Sequence, residues 1–262
     1  MTDRLKGTKA VITGGAGAIG MATARAFLAE GAEVFVTDYD EAMVARAVEA
    51  LRAEAKPAFV NGAAADVTAA DAVGAMMAQA MEAMGGMSAL INNAGTNARG
   101  NLTDLSPGDI DRVIDVNTKG VILCTQAAIP HLQGAKNATV TSTASQAGKR
   151  GWAQIAVYCA SKAAVIGFSR AMAVELAPAI RVNSIAPGHI KDEGMAWDGF
   201  AERKSAQQSL DDFSAEFAAA EIPLRRLQSA ADIANGFVFL TSREASEITG
   251  EVLNIGGGVV MD

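Results

Sequence analysis

Cysteine and histidine are scarce in this chain. Its 262 residues include two cysteines, Cys124 and Cys159, and two histidines, His131 and His189. Two thiols cannot build a disulfide framework, and two histidines with no cysteine cluster beside them do not make a zinc site. We therefore expect no metal site and a packing role for both cysteines, with a reactive thiol as the alternative.

Excess positive charge and long apolar runs are also missing. The formal net charge of -7 provides no general attraction to nucleic acid or to anionic membranes, so we expect neither as a partner. The opening residues MTDRLKGTKA lack the apolar core of a signal peptide, and no run approaches the roughly 18 uncharged apolar residues that cross a bilayer. Because 50% of the residues are hydrophobic and only 19% are charged, the composition predicts a folded, cytoplasmic protein.

Short apolar runs alternate along the chain with longer segments of helical periodicity. Strands without polar alternation, separated by helices, are typical of a parallel sheet covered on both faces. The pattern predicts an α/β fold: one doubly wound Rossmann domain over residues 1–262 with a seven-stranded parallel sheet, and an irregular lid over about 189–228. The predicted strands are 9–13, 33–37, 57–61, 88–92, 138–142, 180–185 and 252–255, and the predicted helices are 18–30, 40–54, 69–84, 107–132, 155–176 and 230–241.

A glycine-rich turn, TGGAGAIG, follows the first predicted strand from Thr13 to Gly20. Small residues there let the backbone approach a pyrophosphate and direct a helix N-terminus at it. Asp38 ends the second strand, where a carboxylate can accept hydrogen bonds from ribose hydroxyls and repel a 2′-phosphate, so NAD is preferred over NADP. The cofactor-binding residues predicted from this part of the chain are Gly14, Gly17, Ile19, Gly20 and Asp38, with Asp66 and Val67 as candidates for holding the adenine.

The stretch SQAGKRGWAQIAVYCASK, from Ser145 to Lys162, carries the candidate chemistry. Tyr158 and Lys162 are four residues apart and share a helix face. An adjacent ammonium, together with an oxidised nicotinamide, favours the phenolate and suits Tyr158 to acid–base catalysis. Ser145 can hold the substrate oxygen, and Asn117, in DVN, has a polar duty such as holding a relay water. For each of these residues a purely structural role is the alternative to a catalytic one, for example a snorkelling lysine or a serine in a turn.

Taken together, these motifs resemble the short-chain dehydrogenase/reductase family. The resemblance runs from TGGAGAIG through NNAG, DVN, SQAG, YCASK and RVNSIAPG to ITGEVLNIGGG, nearly the whole chain. It implies a homotetramer. The sequence departs from the family pattern at two positions: Ala18 stands where the family usually has Gly, and Asp192 stands where the family often has a Thr that holds the carboxamide. By the same resemblance the catalytic tetrad is Asn117, Ser145, Tyr158 and Lys162, the cofactor floor is Asn93, Ala94 and Gly95, and the nicotinamide end is Pro187, Gly188 and Ile190.

The sequence constrains the identity of the substrate less than it constrains the type of reaction. The run SQAGKRG, with WDG further along, is similar to bacterial sorbitol-type polyol dehydrogenases, which implies an NAD-dependent enzyme for a small secondary alcohol such as a sugar alcohol. The alternatives are a 3-oxoacyl thioester (acyl-carrier-protein) reductase and a cofactor-binding regulator of the same fold. A polyol site needs hydrogen-bonding groups beside an apolar wall. The candidate substrate contacts are Ser145, Gln146, Trp152 and His189, with Asn97, Gln154 and Trp197 beside them.

Overall fold

The computed structural model describes residues 3–54, 59–191 and 195–261. Within them, seven parallel strands form one sheet in the order β3-β2-β1-β4-β5-β6-β7. The strand order reverses between β1 and β4, which opens a crevice beyond the carboxyl ends of these strands. The strands are β1 (Lys9–Thr13), β2 (Glu33–Asp38), β3 (Val60–Ala64), β4 (Ala89–Asn92), β5 (Ala138–Thr143), β6 (Ile180–Pro187) and β7 (Val252–Ile255).

All seven predicted strands are confirmed, and the third is displaced. Its predicted start, at 57–58, lies outside the described residues, and β3 continues to Ala64 instead of ending at Asn61. The segment Asn61 to Ala64 contains Asn, Gly and Ala, which have low strand propensity. Pairing with β2 determines its extent, since the register runs from Val34 opposite Val60 to Asp38 opposite Ala64.

Helices cover both faces of the sheet, and each face has its own apolar core. One core joins Phe27 and Leu51 to Ile12 and Val36, and the other joins Met76 to Val11 and Phe35. Neighbouring residues of a strand thus serve opposite faces, which is why the strands read as continuous apolar runs. The first face carries α1 (Ala18–Ala29), α2 (Glu41–Glu54) and α9 (Ala230–Thr241), and the second carries α3 (Ala70–Met84), α5 (Gly120–Leu132) and α6 (Ala156–Leu176).

The helix predicted over 107–132 is interrupted. It consists of α4 (Pro107–Ile114), a π-helical turn over Asp115–Lys119, and α5. Ser106 caps α4 by accepting a hydrogen bond from the Asp109 N–H at 3.1 Å, as expected before a first-turn proline. A π-turn inside a helix is common at functional sites, and here it contains Asn117.

The segment after β6, predicted as irregular, contains two helices. This part of the prediction is wrong: α7 spans Met195–Arg203 and α8 spans Leu210–Glu221. Ser209 caps α8 by accepting from the Asp212 N–H at 3.0 Å, a start signal that was readable in the sequence. Phe200 from α7 packs on Phe213 and Phe217 of α8, so the two helices share a small apolar cluster of their own.

Helix α6 is the one helix in the described ranges that is long and apolar enough to cross a membrane by length and composition. Core helices of globular proteins pass the same test. In this fold α6 packs against β5 and β6 and carries the almost fully buried Lys162. Packing on the sheet accounts for part of its apolar composition, and apolar side chains such as Val174 remain exposed.

Candidate active site

The crevice at the carboxyl ends of the strands is a cavity of about 1320 Å³. Ligand pockets have volumes of roughly 300–1,000 Å³, so this one has room for a dinucleotide and a substrate together. The predicted site residues that line it are Gly14, Gly17, Ile19, Asp38, Asp66, Val67, Asn93, Ala94, Gly95, Ser145, Gln146, Trp152, Tyr158, Lys162, Pro187, Gly188, His189 and Ile190. Two others, Gly20 and Asn117, are buried behind the wall.

The glycine turn forms a cradle that side chains would fill. Gly14 has a φ of 60°, and a Cβ built on it would lie 2.8 Å from the Ala94 Cα. A Cβ on Gly20 would lie 2.2 Å from the Gly14 carbonyl oxygen, so Gly20 serves the close packing of α1 beneath the turn. Gly17 is the N-cap residue of α1 and has no side chain that could cap the helix, and the first residue of the helix, Ala18, lines the cavity. Uncapped N–H groups facing a crevice fit a pyrophosphate.

The carboxylate of Asp38 is held by the backbone at the edge of the cavity. Its Oδ2 accepts from the Ala16 N–H at 3.3 Å and its Oδ1 from the Tyr39 N–H at 2.9 Å. Asp66 is held similarly, since its Oδ1 accepts from the Thr68 N–H at 2.9 Å and the Thr68 hydroxyl at 2.8 Å. Tyr39 also lines this end with a ring that is 78% exposed, a contact that the sequence reasoning missed. These groups fit an adenosine with its ribose diol.

Asn93 ties three strand ends together under the cavity. Its N–H donates to the Thr13 hydroxyl at 3.0 Å, and its side-chain amide donates to the Gly14 carbonyl at 3.0 Å. Its Oδ1 accepts from the Thr143 hydroxyl at 3.1 Å. The two threonines were not predicted as site residues, although both stand at the last position of a strand, where a polar side chain is unusual.

Tyr158 and Lys162 lie together on α6 as their spacing predicted. The Lys162 Nζ is 5.7 Å from the centre of the Tyr158 ring and donates to the Thr143 carbonyl at 2.8 Å. Burial raises the pKa of Tyr158 to about 12, against a smaller opposing effect of the Ser145 hydroxyl, and burial lowers the pKa of Lys162 to about 8. Both pKa values move toward the neutral forms, opposite to the phenolate expected from the sequence, because removal from water penalises each charge. The cofactor-free protein therefore holds a neutral phenol.

Asn117 fixes the loop that follows β4. Its Oδ1 accepts from the Thr96 N–H at 2.8 Å, while its Nδ2 donates to the Thr96 carbonyl at 2.9 Å and to the Ser161 hydroxyl at 3.0 Å. The amide is fully buried and bonded within the protein. Both N–H groups of the amide are used and its Oδ1 accepts one hydrogen bond, so a relay water would bond this side chain only at the second lone pair of Oδ1.

A family model described as "Enoyl-(Acyl carrier protein) reductase" matches residues 14–260. The chain belongs to the short-chain dehydrogenase/reductase family. Members of the family are oxidoreductases that act on CH–OH groups with a nicotinamide cofactor, NAD or NADP, and this chain is one of these enzymes.

Relatives with different substrates resemble this dehydrogenase to similar extents. It is 34% identical to 2-(S)-hydroxypropyl-CoM dehydrogenase 3 of Xanthobacter autotrophicus, over 99% of each chain. It is 33% identical to the sorbitol dehydrogenase of Cereibacter sphaeroides, over 97% of this chain and 98% of that one. The crystal structure of levodione reductase superimposes with a TM-score of 0.89 at 29% identity, over 97% of this chain and 98% of that one.

Aromatic side chains line one end of the dehydrogenase cavity. Trp152 and His189, the predicted substrate contacts, lie there with ring centres 5.8 Å apart, and they are joined by Phe200 and Phe217, which the sequence reasoning missed. Burial and the charge of Arg203 lower the pKa of His189 to about 4, so its imidazole is neutral at physiological pH. Trp197 packs on Phe200, 6.3 Å between ring centres, and Asp192 lies outside the described residues.

Three residues that line the cavity have buried polar atoms without a partner. Gln146 is 3% exposed, and neither its Oε1 nor its Nε2 has a hydrogen-bond partner in the described part of the chain. The same holds for the Asn97 Oδ1 and the His189 Nδ1. These atoms are shielded from the open part of the cavity, and the Gln146 amide packs against the backbone of Gly188 and Gly256, so a ligand would reach them only after a side-chain movement.

Proposed function

We propose that this enzyme is an NAD-dependent dehydrogenase that interconverts a small secondary alcohol and its ketone. The observation that carries the proposal is the presence of Tyr158, Lys162 and Ser145 on the wall of the cavity that also contains the Gly14 cradle. A nicotinamide cofactor bound there would supply the acceptor for the hydride that leaves the alcohol carbon. Pro187, Gly188 and Ile190 would hold that end of the cofactor.

The chain's own residues supply positioning and proton transfer. The Ser145 hydroxyl holds the substrate oxygen, and Tyr158 takes the hydroxyl proton during oxidation and returns it during reduction. The Lys162 ammonium, held by the Thr143 carbonyl, stabilises the phenolate once the phenol has lost its proton. Asn117 keeps the loop at Thr96 in place beside them.

Asp38 supports NAD as the preferred cofactor. Its carboxylate is held at the end of β2 by two backbone N–H groups and can accept hydrogen bonds from the ribose hydroxyls. A 2′-phosphate in the same place would meet a fixed negative charge.

Two observations support a polyol or sugar alcohol as the substrate. A relative of similar length is a sorbitol dehydrogenase, and the polar side chains of Gln146, Asn97 and His189 line the cavity beside aromatic rings. The second candidate is a 3-oxoacyl thioester reductase, supported by the 34% identity of this chain to the 3-oxoacyl-[acyl-carrier-protein] reductase FabG of Thermotoga maritima, over 98% of this chain. Exposed apolar side chains on α5 and α6, such as Ile122 and Val174, support a homotetramer.

The test follows the absorbance of reduced cofactor with a panel of polyols, sugars and hydroxy acids, each with NAD and with NADP. We expect turnover of polyols with NAD and its loss in Tyr158→Phe. Turnover of 3-oxoacyl thioesters with a strong preference for NADPH would replace the polyol proposal with the reductase. A fully active Tyr158→Phe enzyme would contradict the mechanism.

A further inference from the structure

Four rings from three elements form an aromatic cluster, which we define as His189, Phe200, Phe213 and Phe217. Phe200 lies 5.7 Å from Phe213 and 4.8 Å from Phe217 between ring centres. His189 stacks on Phe200 at 5.8 Å and contacts Phe217 at 4.8 Å. Three of the four, all except Phe213, line the cavity that contains Tyr158. The aromatic cluster is therefore part of the substrate wall as well as the core of α7 and α8.

Arg203 lies over this cluster. It follows Phe200 by one helical turn, and its guanidinium carbon is 5.9 Å from the Phe200 ring centre, 5.6 Å from Phe213 and 5.4 Å from Phe217. Arg203 also lines the cavity. Stacking on rings orients a guanidinium while its N–H groups stay available as donors.

The other two arginines of the cavity wall already have carboxylate partners. Arg99 pairs with Glu202 at 3.3 Å and Arg112 with Asp109 at 3.1 Å. Arg203 has no ion pair with any residue in the described ranges 3–54, 59–191 and 195–261. Glu221, at the end of α8, lines the cavity as well and is an exposed negative charge on the same wall.

We propose that Arg203 binds an anionic group of the substrate, so that the enzyme acts on alcohols that carry a carboxylate or a phosphate. The inference rests on the proposed function and narrows its substrate class from neutral polyols to sugar acids and sugar phosphates. The guanidinium suits this duty because it forms paired hydrogen bonds with planar or tetrahedral oxyanions. The neighbouring rings give the exposed guanidinium an apolar support, and the polar residues Gln146 and Asn97 line the same cavity.

The first experiment compares substrates that differ in charge at one end of the chain. Sorbitol is neutral, gluconate carries a carboxylate in place of one terminal alcohol, and sorbitol 6-phosphate carries a phosphate. We expect kcat/KM to be higher for an anionic member than for sorbitol, and Arg203→Met to lower it about 10- to 100-fold, mainly through KM, as for the loss of a charge-assisted hydrogen bond. Turnover of sorbitol should fall less than turnover of either anion in that variant. The arm with the larger loss identifies the anion as carboxylate or phosphate.

The chain offers matched controls. Arg150 also stacks on a ring, 4.7 Å from the centre of Trp152, and it is not part of the cavity wall in the described residues. Arg150→Met should therefore preserve the preference for anions, and Arg203→Lys should retain part of it. Glu221→Gln removes a negative charge from the same wall and should strengthen binding of the anionic substrates.

The second experiment measures binding without turnover. The two tryptophans of the chain, Trp152 and Trp197, contact His189 and Phe200 respectively, so their fluorescence reports ligands at the aromatic cluster. In a Tyr158→Phe background with NAD, gluconate or sorbitol 6-phosphate should bind with a Kd that Arg203→Met weakens about 10- to 100-fold. The Kd of sorbitol should change less than the Kd of either anion when Arg203 is replaced.

The two experiments separate this inference from the proposed function. Equal kcat/KM for sorbitol and both anions, or equal losses for all three in Arg203→Met, would overturn the inference and leave the dehydrogenase proposal standing. Arg203-dependent binding of the anions without reduction of NAD would support the inference and count against the proposed reaction. Fluorescence titrations with no difference between anionic and neutral ligands would also overturn it.

Discussion

Replacement of Lys162 by methionine tests the electrostatic core of the proposed mechanism. The ammonium lies 5.7 Å from the centre of the Tyr158 ring, in a buried site. At an effective dielectric constant of about 20, two unit charges at this separation interact by about 3 kcal/mol. This corresponds to about 2 pKa units. Removal of the positive charge should therefore raise the apparent pKa of the phenol in the working complex by about 2 units.

The assay is the pH profile of kcat/KM for alcohol oxidation. The phenolate is the form that accepts the proton, so Lys162→Met should be about 100-fold slower than wild type below both apparent pKa values and should recover as the pH rises. Burial lowers the pKa of Lys162 to about 8, so in the wild type the ammonium is present below that pH and is lost above it. The difference between the two proteins should accordingly shrink above about pH 8.

Lys162→Arg keeps the charge and serves as the control, with an expected profile close to that of wild type. The outcome that would refute the reasoning is a Lys162→Met enzyme that is slower by the same factor at every pH, with an unchanged apparent pKa. Lys162 would then act only by positioning the cofactor or by supporting the Thr143 carbonyl. Circular dichroism and Tm would establish that the variant is folded.

Three further substitutions address the cofactor cradle and the stability of the fold. Asp38→Ala should shift the ratio of kcat/KM for NADP over NAD upward by about 10- to 100-fold, and an unchanged ratio would show that the carboxylate does not select the cofactor. Gly14→Ala places a Cβ 2.8 Å from the Ala94 Cα at a φ of 60°, so NADH titrated by fluorescence should bind more weakly, and wild-type binding would contradict the proposed cradle. Ser229→Ala removes the capping box of α9, so it should lower the free energy of unfolding by about 1 kcal/mol and Tm by about 2–4 °C. The control is Ser205→Ala, at an exposed position that caps no helix, which should leave Tm unchanged. Equal Tm values for the two variants would be inconsistent with the cap.

Local patterns in the sequence were sufficient for the sheet and for most of the cofactor wall. Each strand was readable because both faces of a parallel sheet are buried, which leaves a continuous apolar run such as KAVIT or SALIN. The glycine turn was readable from its place between a strand and a helix, and Asp38 at the end of the next strand favoured a cofactor over a turn that simply joins the two elements. Tyr158 and Lys162 were readable because a separation of four residues on a helix fixes their proximity.

The helices α7 and α8 were not readable in the same way, since their apolar residues serve a small separate cluster and not the main cores. The contacts of Phe200 with Phe213 and Phe217 depend on how the two helices fold back on one another. The same packing of α7 against α8 places Arg203 over those rings. No spacing rule connects residues whose proximity depends on a turn between two helices.

The sequence by itself determined the order of the strands, the glycine turn after β1 and the pairing of Tyr158 with Lys162, because each depends on residues close together in the chain. Tertiary structure alone decided how deeply that pair is buried, and with it the direction of both pKa values in the cofactor-free protein. It also decided that Asn93 joins three strand ends and that Arg203 faces the cavity. Burial and long-range contacts are properties of the packed molecule, and they are absent from any local pattern of residues.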